Sequence, residues 1–148
     1  MNPTISVTSD EEWLRLTAKM EAEGEPYEGI VAVAFCIMNR SRKTNSSVSD
    51  VVLRQYQFSA WNTDSATRMR LDTIDPYGEN WFRICAACSE AFYAPVTGRV
   101  DPIEGRTLYM NEDVVRESRG GDLPEWWRKA GRVDPGMKIG AHTFRYDI

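Results

Sequence analysis

The spacing of apolar residues predicts helices over most of the N-terminal two thirds of the chain. Ser9 followed by Glu12 forms a capping-box pattern that opens a first helix, and Gly24 with Pro26 ends it. The helix that follows is apolar on both faces over residues 30–38, so we expect it to lie buried at the centre of the fold.

Two more helices and two strands complete the predicted elements. Residues 46–53 are expected to form a short third helix, and residues 79–93 a fourth that Pro95 stops. Beyond Pro95, glycine and proline punctuate short segments, among which residues 107–110 and 142–146 alternate as paired strands do. Helices followed by a small strand region indicate an α+β fold, mainly α-helical, with two lobes and a cleft between them.

Composition and charge restrict the class of protein. With 148 residues, of which 42% are hydrophobic and 27% charged, we expect a single domain over residues 1–148. The net charge of −4 argues against nucleic acid as the main partner, because phosphate contacts need clustered basic residues. No apolar run approaches the ~20 residues of a membrane span, so we expect no membrane insertion. No Sec-type signal is visible at the N-terminus, so we expect synthesis in the cytoplasm.

The three cysteines and the single histidine offer little for metal or nucleophilic chemistry. Cys36, Cys85 and Cys88 cannot form a complete disulfide framework, and one histidine leaves a zinc site short of ligands. We therefore expect free buried thiols, no metal and no cofactor. Cys36 lies within the apolar helix, where a thiol has a raised pKa and low reactivity, so a cysteine peptidase is poorly supported. We expect His142 to be a structural hydrogen-bonding residue or part of a cleft wall.

Four carboxylates cluster at the break between the first two helices, at positions 21, 23, 25 and 28. Glu21 falls in the last turn of the first helix, where the partial negative charge of the helix end favours the protonated carboxyl. Beside a buried helix such a carboxyl is partly dehydrated and its pKa is raised, which suits a general acid at a glycosidic bond. The alternative interpretation is a solvated acidic turn with no chemical role.

A pair of adjacent tryptophans, Trp126 and Trp127, lies in a region rich in glycine and proline. Two neighbours on a strand or loop rarely both face the core, so we expect one of them to be exposed. An exposed aromatic face suits the CH face of a sugar ring. The alternative is that Trp127 packs in the core while Trp126 has no role.

Five short motifs occur in order along the chain: EAEGEPYEG at 21–29, QFSAW at 57–61, TLYMN at 107–111, PEWW at 124–127 and IGAHTF at 139–144. In these motifs, and in their order, the chain resembles the catalytic domain of the SleB-type spore cortex-lytic enzymes, a family of cell-wall hydrolases. The resemblance implies a compact lysozyme-like fold and cleavage of the MurNAc–GlcNAc bond in the glycan strands of peptidoglycan. It also implies that the first glutamate of the first motif, Glu21, is the catalytic acid.

The resemblance further suggests which residues bind the substrate. By analogy with lytic transglycosylases, four residues would hold the glycan and orient its N-acetyl and C6-hydroxyl groups: Gln57, Ser59, Tyr109 and Asn111. We expect four others to complete the substrate-binding cleft: Glu25, Trp61, Trp126 and His142.

The sequence offers no clear second catalytic carboxylate. We therefore expect the MurNAc C6-hydroxyl to attack C1, as in a lytic transglycosylase, and to leave a 1,6-anhydro product. A hydrolytic muramidase, a non-catalytic peptidoglycan-binding module and a wall amidase or peptidase remain alternatives. A catalytic domain without a visible signal is similar to a phage endolysin or a virion-associated lysin, so we expect release by a holin or carriage on a virion. We expect the protein to be a monomer.

Overall fold

The computed structural model of the protein describes residues 9–54 and 74–147. These residues contain seven helices: α1 (Asp10–Ala22), α2 (Tyr27–Thr44), α3 (Val48–Leu53), α4 (Glu79–Phe92), α5 (Ala94–Thr97), α6 (Glu112–Ser118) and α7 (Glu125–Val133). They also contain three strands: β1 (Leu108–Met110), β2 (Met137–Ile139) and β3 (His142–Arg145). The α+β fold class predicted from the sequence is confirmed. Three of the predicted site residues lie outside the described residues: Gln57, Ser59 and Trp61.

Helix α2 lies at the centre of the core, as the sequence predicts. Every residue from Gly29 to Ile37 is buried, and α1, α3 and α4 pack against this helix. Because the apolar run leaves no polar face for water, other elements must cover it. Burying a large side chain such as Ile30 or Phe35 stabilises the fold by about 1.5–3 kcal/mol. No helix within residues 9–54 and 74–147 combines the length and the apolar character needed to cross a membrane.

Helix α1 carries Glu21 to the edge of this core. The Ser9 hydroxyl caps the helix, since its Oγ accepts a hydrogen bond from the backbone N–H of Glu12 at 3.1 Å. The helix ends at Ala22, and in the following turn the N–H of Glu25 donates to the carbonyl of Ala22 at 3.0 Å. Glu21 therefore lies in the last turn of α1, partly buried, with the buried Ala22 beside it.

The two predicted strands form one small antiparallel sheet with a third strand. Strand β3 is central, with β1 on one side and β2 on the other, and Tyr109 of β1 lies opposite Phe144 of β3. The prediction that residues 107–110 pair with residues 142–146 is confirmed. The sequence pattern does not predict β2, because its three residues are too few to show alternation between Gly136 and Gly140.

Helices α6 and α7 lie beyond Pro95, where the sequence predicts short segments and strands but no helix. Asn111 caps the N-terminus of helix α6, since its side-chain oxygen accepts a hydrogen bond from the N–H of Val114 at 3.2 Å. The two helices have seven and nine residues, which is too short for a clear helical repeat in the sequence. The buried Trp127 of α7 packs in a second, smaller hydrophobic cluster with Met110.

The cysteines are free thiols, as the sequence predicts, with Cys36 and Cys88 buried and Cys85 partly buried. Burial raises the pKa of Cys36 to about 12, and it raises the pKa of Cys88 to about 12 as well. Because the thiolate is the reactive form, neither of these two residues is a nucleophile at neutral pH.

Candidate active site

A groove of about 850 Å³ lies along α2. Its lining includes the end of α1, the turn before α2, the last turns of α2, strands β1 and β3, and parts of α6 and α7. All six predicted site residues that the structure describes line this groove: Glu21, Glu25, Tyr109, Asn111, Trp126 and His142. The fold thus gathers in one groove residues that are spread over most of the sequence.

The side chain of Tyr109 holds the carboxyl group of Glu21. The Tyr109 hydroxyl donates a hydrogen bond to Oε1 of Glu21 at 2.6 Å. Removal of the phenol from water, together with the charge and the hydrogen bond of Glu21, raises the pKa of Tyr109 well above its ordinary value. The hydroxyl therefore keeps its proton over the whole neutral range and remains a donor, so one oxygen of Glu21 has a fixed position.

The side chain of Glu25 joins the turn before α2 to the β2–β3 hairpin. Its Oε1 accepts hydrogen bonds from the N–H of Ala141 at 2.8 Å and from Nδ1 of His142 at 3.2 Å. Gly140 adopts a φ of +62° in this hairpin, and a Cβ atom at this position would come within 2.5 Å of Glu25 Oε1. Glycine is therefore required on two grounds, the left-handed backbone and the close approach of the carboxylate.

The imidazole of His142 is buried and forms part of the groove wall. Burial lowers the pKa of His142, and the neighbouring Glu25 carboxylate opposes that effect only in part. The ring is thus neutral at pH 7, and we assign the proton to Nδ1 because the carboxylate can only accept. This geometry agrees with both predicted roles of His142, a structural hydrogen bond and a cleft wall.

Ring contacts connect the two carboxyl groups along the groove wall. The rings of Tyr109 and His142 meet edge to face, with their centroids 5.0 Å apart and an interplanar angle of 85°. Phe144 lies behind them, with its centroid 6.0 Å from that of Tyr109. Glu25 therefore orients His142, His142 supports the ring of Tyr109, and Tyr109 holds Glu21.

The tryptophan pair lies on α7, and only one of the two indoles is exposed. Trp127 is fully buried, and its Nε1 donates to Glu112 at 2.8 Å. Trp126 is 54% exposed and lines the groove. The prediction that one member of the pair is exposed is confirmed. The two indoles differ in exposure because they lie on different faces of a helix, and not because side chains alternate along a strand.

Basic residues on the groove were not identified as site residues from the sequence. Arg40, Lys43 and Arg54 line it, the first two in the last turns of α2 and the third directly after α3. The guanidinium group of Arg40 also donates to the carbonyl of Thr107 from Nε at 3.1 Å and from Nη2 at 2.6 Å, which anchors the start of β1 to α2. In the sequence these residues follow the pattern of basic residues at helix C-termini, so nothing marks them as functional. Among the described residues, no three His, Cys, Asp or Glu side chains gather where a metal ion could be held.

Comparison with known proteins identifies the family. A family described as Cell Wall Hydrolase matches residues 24–145, which is most of the chain. A search of curated proteins and a search of solved structures each find no match, so the lysozyme-like fold stays a prediction. The matched range begins after Glu21, and the role of this residue therefore rests on the geometry of the groove. The chain belongs to the Cell Wall Hydrolase family and is an enzyme that acts on peptidoglycan.

Proposed function

We propose that the enzyme cleaves the MurNAc–GlcNAc bond of peptidoglycan with Glu21 as its general acid. The observation that carries this proposal is the 2.6 Å hydrogen bond from Tyr109 to Glu21 Oε1 inside the groove. A general acid must lie in a cleft that the substrate can enter, and its proton must point in a fixed direction. Because Oε1 accepts the bond from Tyr109, the proton of the carboxyl is carried on Oε2.

The proposed reaction begins with proton transfer from Glu21 Oε2 to the glycosidic oxygen. The bond from C1 of MurNAc to this oxygen breaks, the bonding electrons leave with the GlcNAc hydroxyl, and an oxocarbenium-like centre develops at C1. The carboxylate of Glu21 then takes the proton of the MurNAc C6-hydroxyl, and O6 forms a bond to C1. The products are a 1,6-anhydro-MurNAc end and a free GlcNAc end, no water is consumed, and Glu21 recovers its proton.

The partners of the other carboxylates in the groove favour this route over hydrolysis. A second catalytic carboxylate would need an oxygen directed at C1 or at an attacking water. Glu25 instead accepts hydrogen bonds from Ala141 and His142, and Asp147 lies 3.9 Å from Lys43. We therefore propose that the nucleophile is the C6-hydroxyl of the substrate, and we retain the hydrolytic muramidase as the second candidate.

Aromatic and amide side chains in the groove supply the binding of the sugar rings. The exposed indole of Trp126 offers an apolar face to one ring, and Asn111 also lines the groove. The Cys36 and Cys88 thiols, buried and with pKa values of about 12, do not support a cysteine peptidase. A binding module without activity would not need a carboxyl held by a tyrosine.

Digestion of purified peptidoglycan by the wild type and by Glu21→Gln tests this function. The variant keeps the shape of the side chain and removes the transferable proton, so we expect it to fold and to lose lysis. Glu23→Gln is the matched control, because Glu23 lies two residues away, pairs with Lys19 at 2.7 Å and is outside the groove lining. Full activity of Glu21→Gln would refute the assignment.

Mass spectrometry of the wild-type products separates the candidate reactions. Glycan ends lighter by one water would support transglycosylation, whereas reducing ends alone would establish the muramidase. New amino groups without new sugar ends would identify an amidase or peptidase. Binding to peptidoglycan without any product would identify a non-catalytic module.

We propose phage lysis as the biological setting. The enzyme would be made in the cytoplasm and would reach the wall through a holin or on a virion. Expression in bacterial cells with and without a co-expressed holin tests the first route, since lysis should require both genes.

A further inference from the structure

One end of the groove is basic, although the protein as a whole carries a net charge of −4. We call this region the basic end and define it by Arg40, Lys43 and Arg54, which all line the groove. The described lining also holds three carboxylates, Glu21, Glu25 and Asp147, of which Asp147 lies 3.9 Å from Lys43. Because Glu21 is hydrogen-bonded to Tyr109 and Glu25 to Ala141 and His142, the three cations of the basic end indicate that this part of the groove attracts negatively charged groups.

The charges of the basic end are accessible to a ligand. Lys43 Nζ lies 3.9 Å from Asp147 Oδ2, and the two side chains are 52% and 56% exposed, so the pair is weak and open to water. Arg54 is exposed and forms no ion pair or hydrogen bond within the described part of the chain. A ligand carboxylate can therefore approach both residues without breaking a buried interaction.

The basic end lies close to the proposed acid. Arg40 binds the carbonyl of Thr107, and Thr107 precedes Tyr109 by two residues, about 7 Å along the strand. Tyr109 in turn contacts Glu21. An extended peptide of four residues spans roughly 13 Å, so a peptide attached to the sugar at the acid is long enough to reach Arg40.

We propose that the basic end binds the carboxylates of the stem peptide that MurNAc carries. This inference rests on the proposed function, because it takes the glycan strand to lie in the same groove. The sugar rings of the strand are uncharged and offer no anionic group that three cations could bind, whereas the stem peptide carries free carboxylates. Arginine and lysine bind such groups through charge-assisted hydrogen bonds. The enzyme accordingly prefers glycan that bears its stems over bare glycan.

Two substrates, strands with their stems and strands without them, test this preference. Peptidoglycan freed of teichoic acid supplies stem-bearing strands without phosphate, and an amidase removes the stems from one half of the preparation, which leaves one lactyl carboxylate on each MurNAc. We expect the wild type to have a KM several-fold lower on the stem-bearing strands. Lys43→Glu and Arg54→Glu should each raise that KM about two- to fivefold, in line with exposed ion pairs, and should raise the KM on bare strands by less.

Arg42→Glu is the matched control, because Arg42 is exposed in the same turn of α2 as Lys43 and is outside the groove lining. It changes the net charge and the charge at the helix end by the same amount. A wild-type KM equal on both substrates would overturn the inference. So would a rise in KM for Arg42→Glu as large as that for Lys43→Glu, because the effect would then be one of overall charge.

A binding measurement separates this inference from the proposed function. Calorimetry with the Glu21→Gln variant compares its affinity for the two kinds of strand without turnover. Tighter binding of stem-bearing strands, lost in the Glu21→Gln and Lys43→Glu double variant, would support the basic end even if no glycosidic bond is cut. Equal affinity for both strands would overturn it even if the wild type cleaves bare strands and the proposed function holds.

Discussion

The hydroxyl of Tyr109 and the carboxyl of Glu21 are 88 positions apart in the chain and meet at 2.6 Å. This bond joins the small sheet to the last turn of α1, across the groove in which both residues lie. The tyrosine ring is itself fixed by the rings of His142 and Phe144. The orientation of the proposed acid therefore depends on the packing of strands β1 and β3.

Tyr109→Phe should reduce kcat while the fold and KM are retained. The phenylalanine ring keeps the contacts with His142 and Phe144, and the hydrogen bond to Glu21 is lost. A misplaced catalytic group typically costs about tenfold to hundredfold in rate. Initial rates of peptidoglycan cleavage measure the effect, and thermal unfolding checks the fold.

Tyr146→Phe is the control for the loss of a tyrosine hydroxyl. The Tyr146 hydroxyl donates to the carbonyl of Glu104 at 2.5 Å, and the residue is outside the groove lining. We expect its kcat to equal that of the wild type. If Tyr109→Phe retains full activity, the bond to Glu21 does not position the acid.

Gly140→Ala should disturb the active site through Glu25. The new Cβ would lie 2.5 Å from Glu25 Oε1, so the carboxylate must move away from Ala141 and His142. The positive φ adds about 1–2 kcal/mol of backbone strain for a residue with a Cβ. We expect a lower melting temperature together with a lower kcat.

Gly98→Ala tests the effect of the backbone strain without a steric clash with Glu25. Gly98 has a φ of +80°, and its Cβ would meet no atom within 4 Å. Backbone strain should lower the stability of this variant by a similar amount, and its kcat should equal that of the wild type. Equal kcat values for the two variants would contradict a positioning role for Glu25.

Asp134→Asn should destabilise the protein at neutral pH and much less in acid. The buried Asp134 carboxylate accepts bonds from Arg106 Nε at 2.8 Å and Nη2 at 3.0 Å, and from the N–H groups of Gly136 and Tyr146. The hydrogen bonds from Arg106, opposed by burial, lower the pKa of Asp134 below its ordinary value. Breaking one side of such a pair costs about 3 kcal/mol.

The sign of the pH dependence follows from the lowered pKa. A carboxylate with a lowered pKa in the folded state contributes its full stability above its unfolded pKa, about 3.9, and loses it as the pH falls through the folded value. Urea denaturation of both proteins from pH 7 down to pH 3 should therefore show the difference shrinking below about pH 4. A difference that is constant over this range would mean that the charge of Asp134 contributes nothing.

The sequence predicts those parts of the fold that repeat over many residues. The apolar run of α2 requires burial on every side, and the capping pattern of Ser9 and Glu12 fixes the start of α1. Strand β2 and helices α6 and α7 are too short to show a period, and the glycines around them resemble turns. Their formation depends on contacts such as the burial of Trp127, which no local pattern predicts.

For the candidate site, too, the sequence predicts what local residues determine and does not predict contacts between distant parts of the chain. The place of Glu21 at the rim of the core could be predicted, because it depends on a helix end that local residues specify. Its contact with Tyr109 and the contact of Glu25 with His142 join positions 88 and 117 residues apart, so only the folded chain brings them together. The motif resemblance selects these residues as a group without assigning a partner to each.

Thr107→Val should leave the stability of the protein unchanged or raise it by about 1 kcal/mol. The Thr107 side chain is buried, and its Oγ1 finds no hydrogen-bond partner in the part of the chain that the structure describes. A buried hydroxyl without a partner loses its hydrogen bonds to water and gains none in the protein, and valine has the same shape without this unfavourable contribution.

Thr17→Val is the matched control, since the Oγ1 of the buried Thr17 donates to the carbonyl of Trp13 at 2.7 Å. The control should lose about 1 kcal/mol, measured by urea denaturation of both variants and the wild type. Equal losses in the two variants would mean that the Thr107 hydroxyl does form a hydrogen bond in solution.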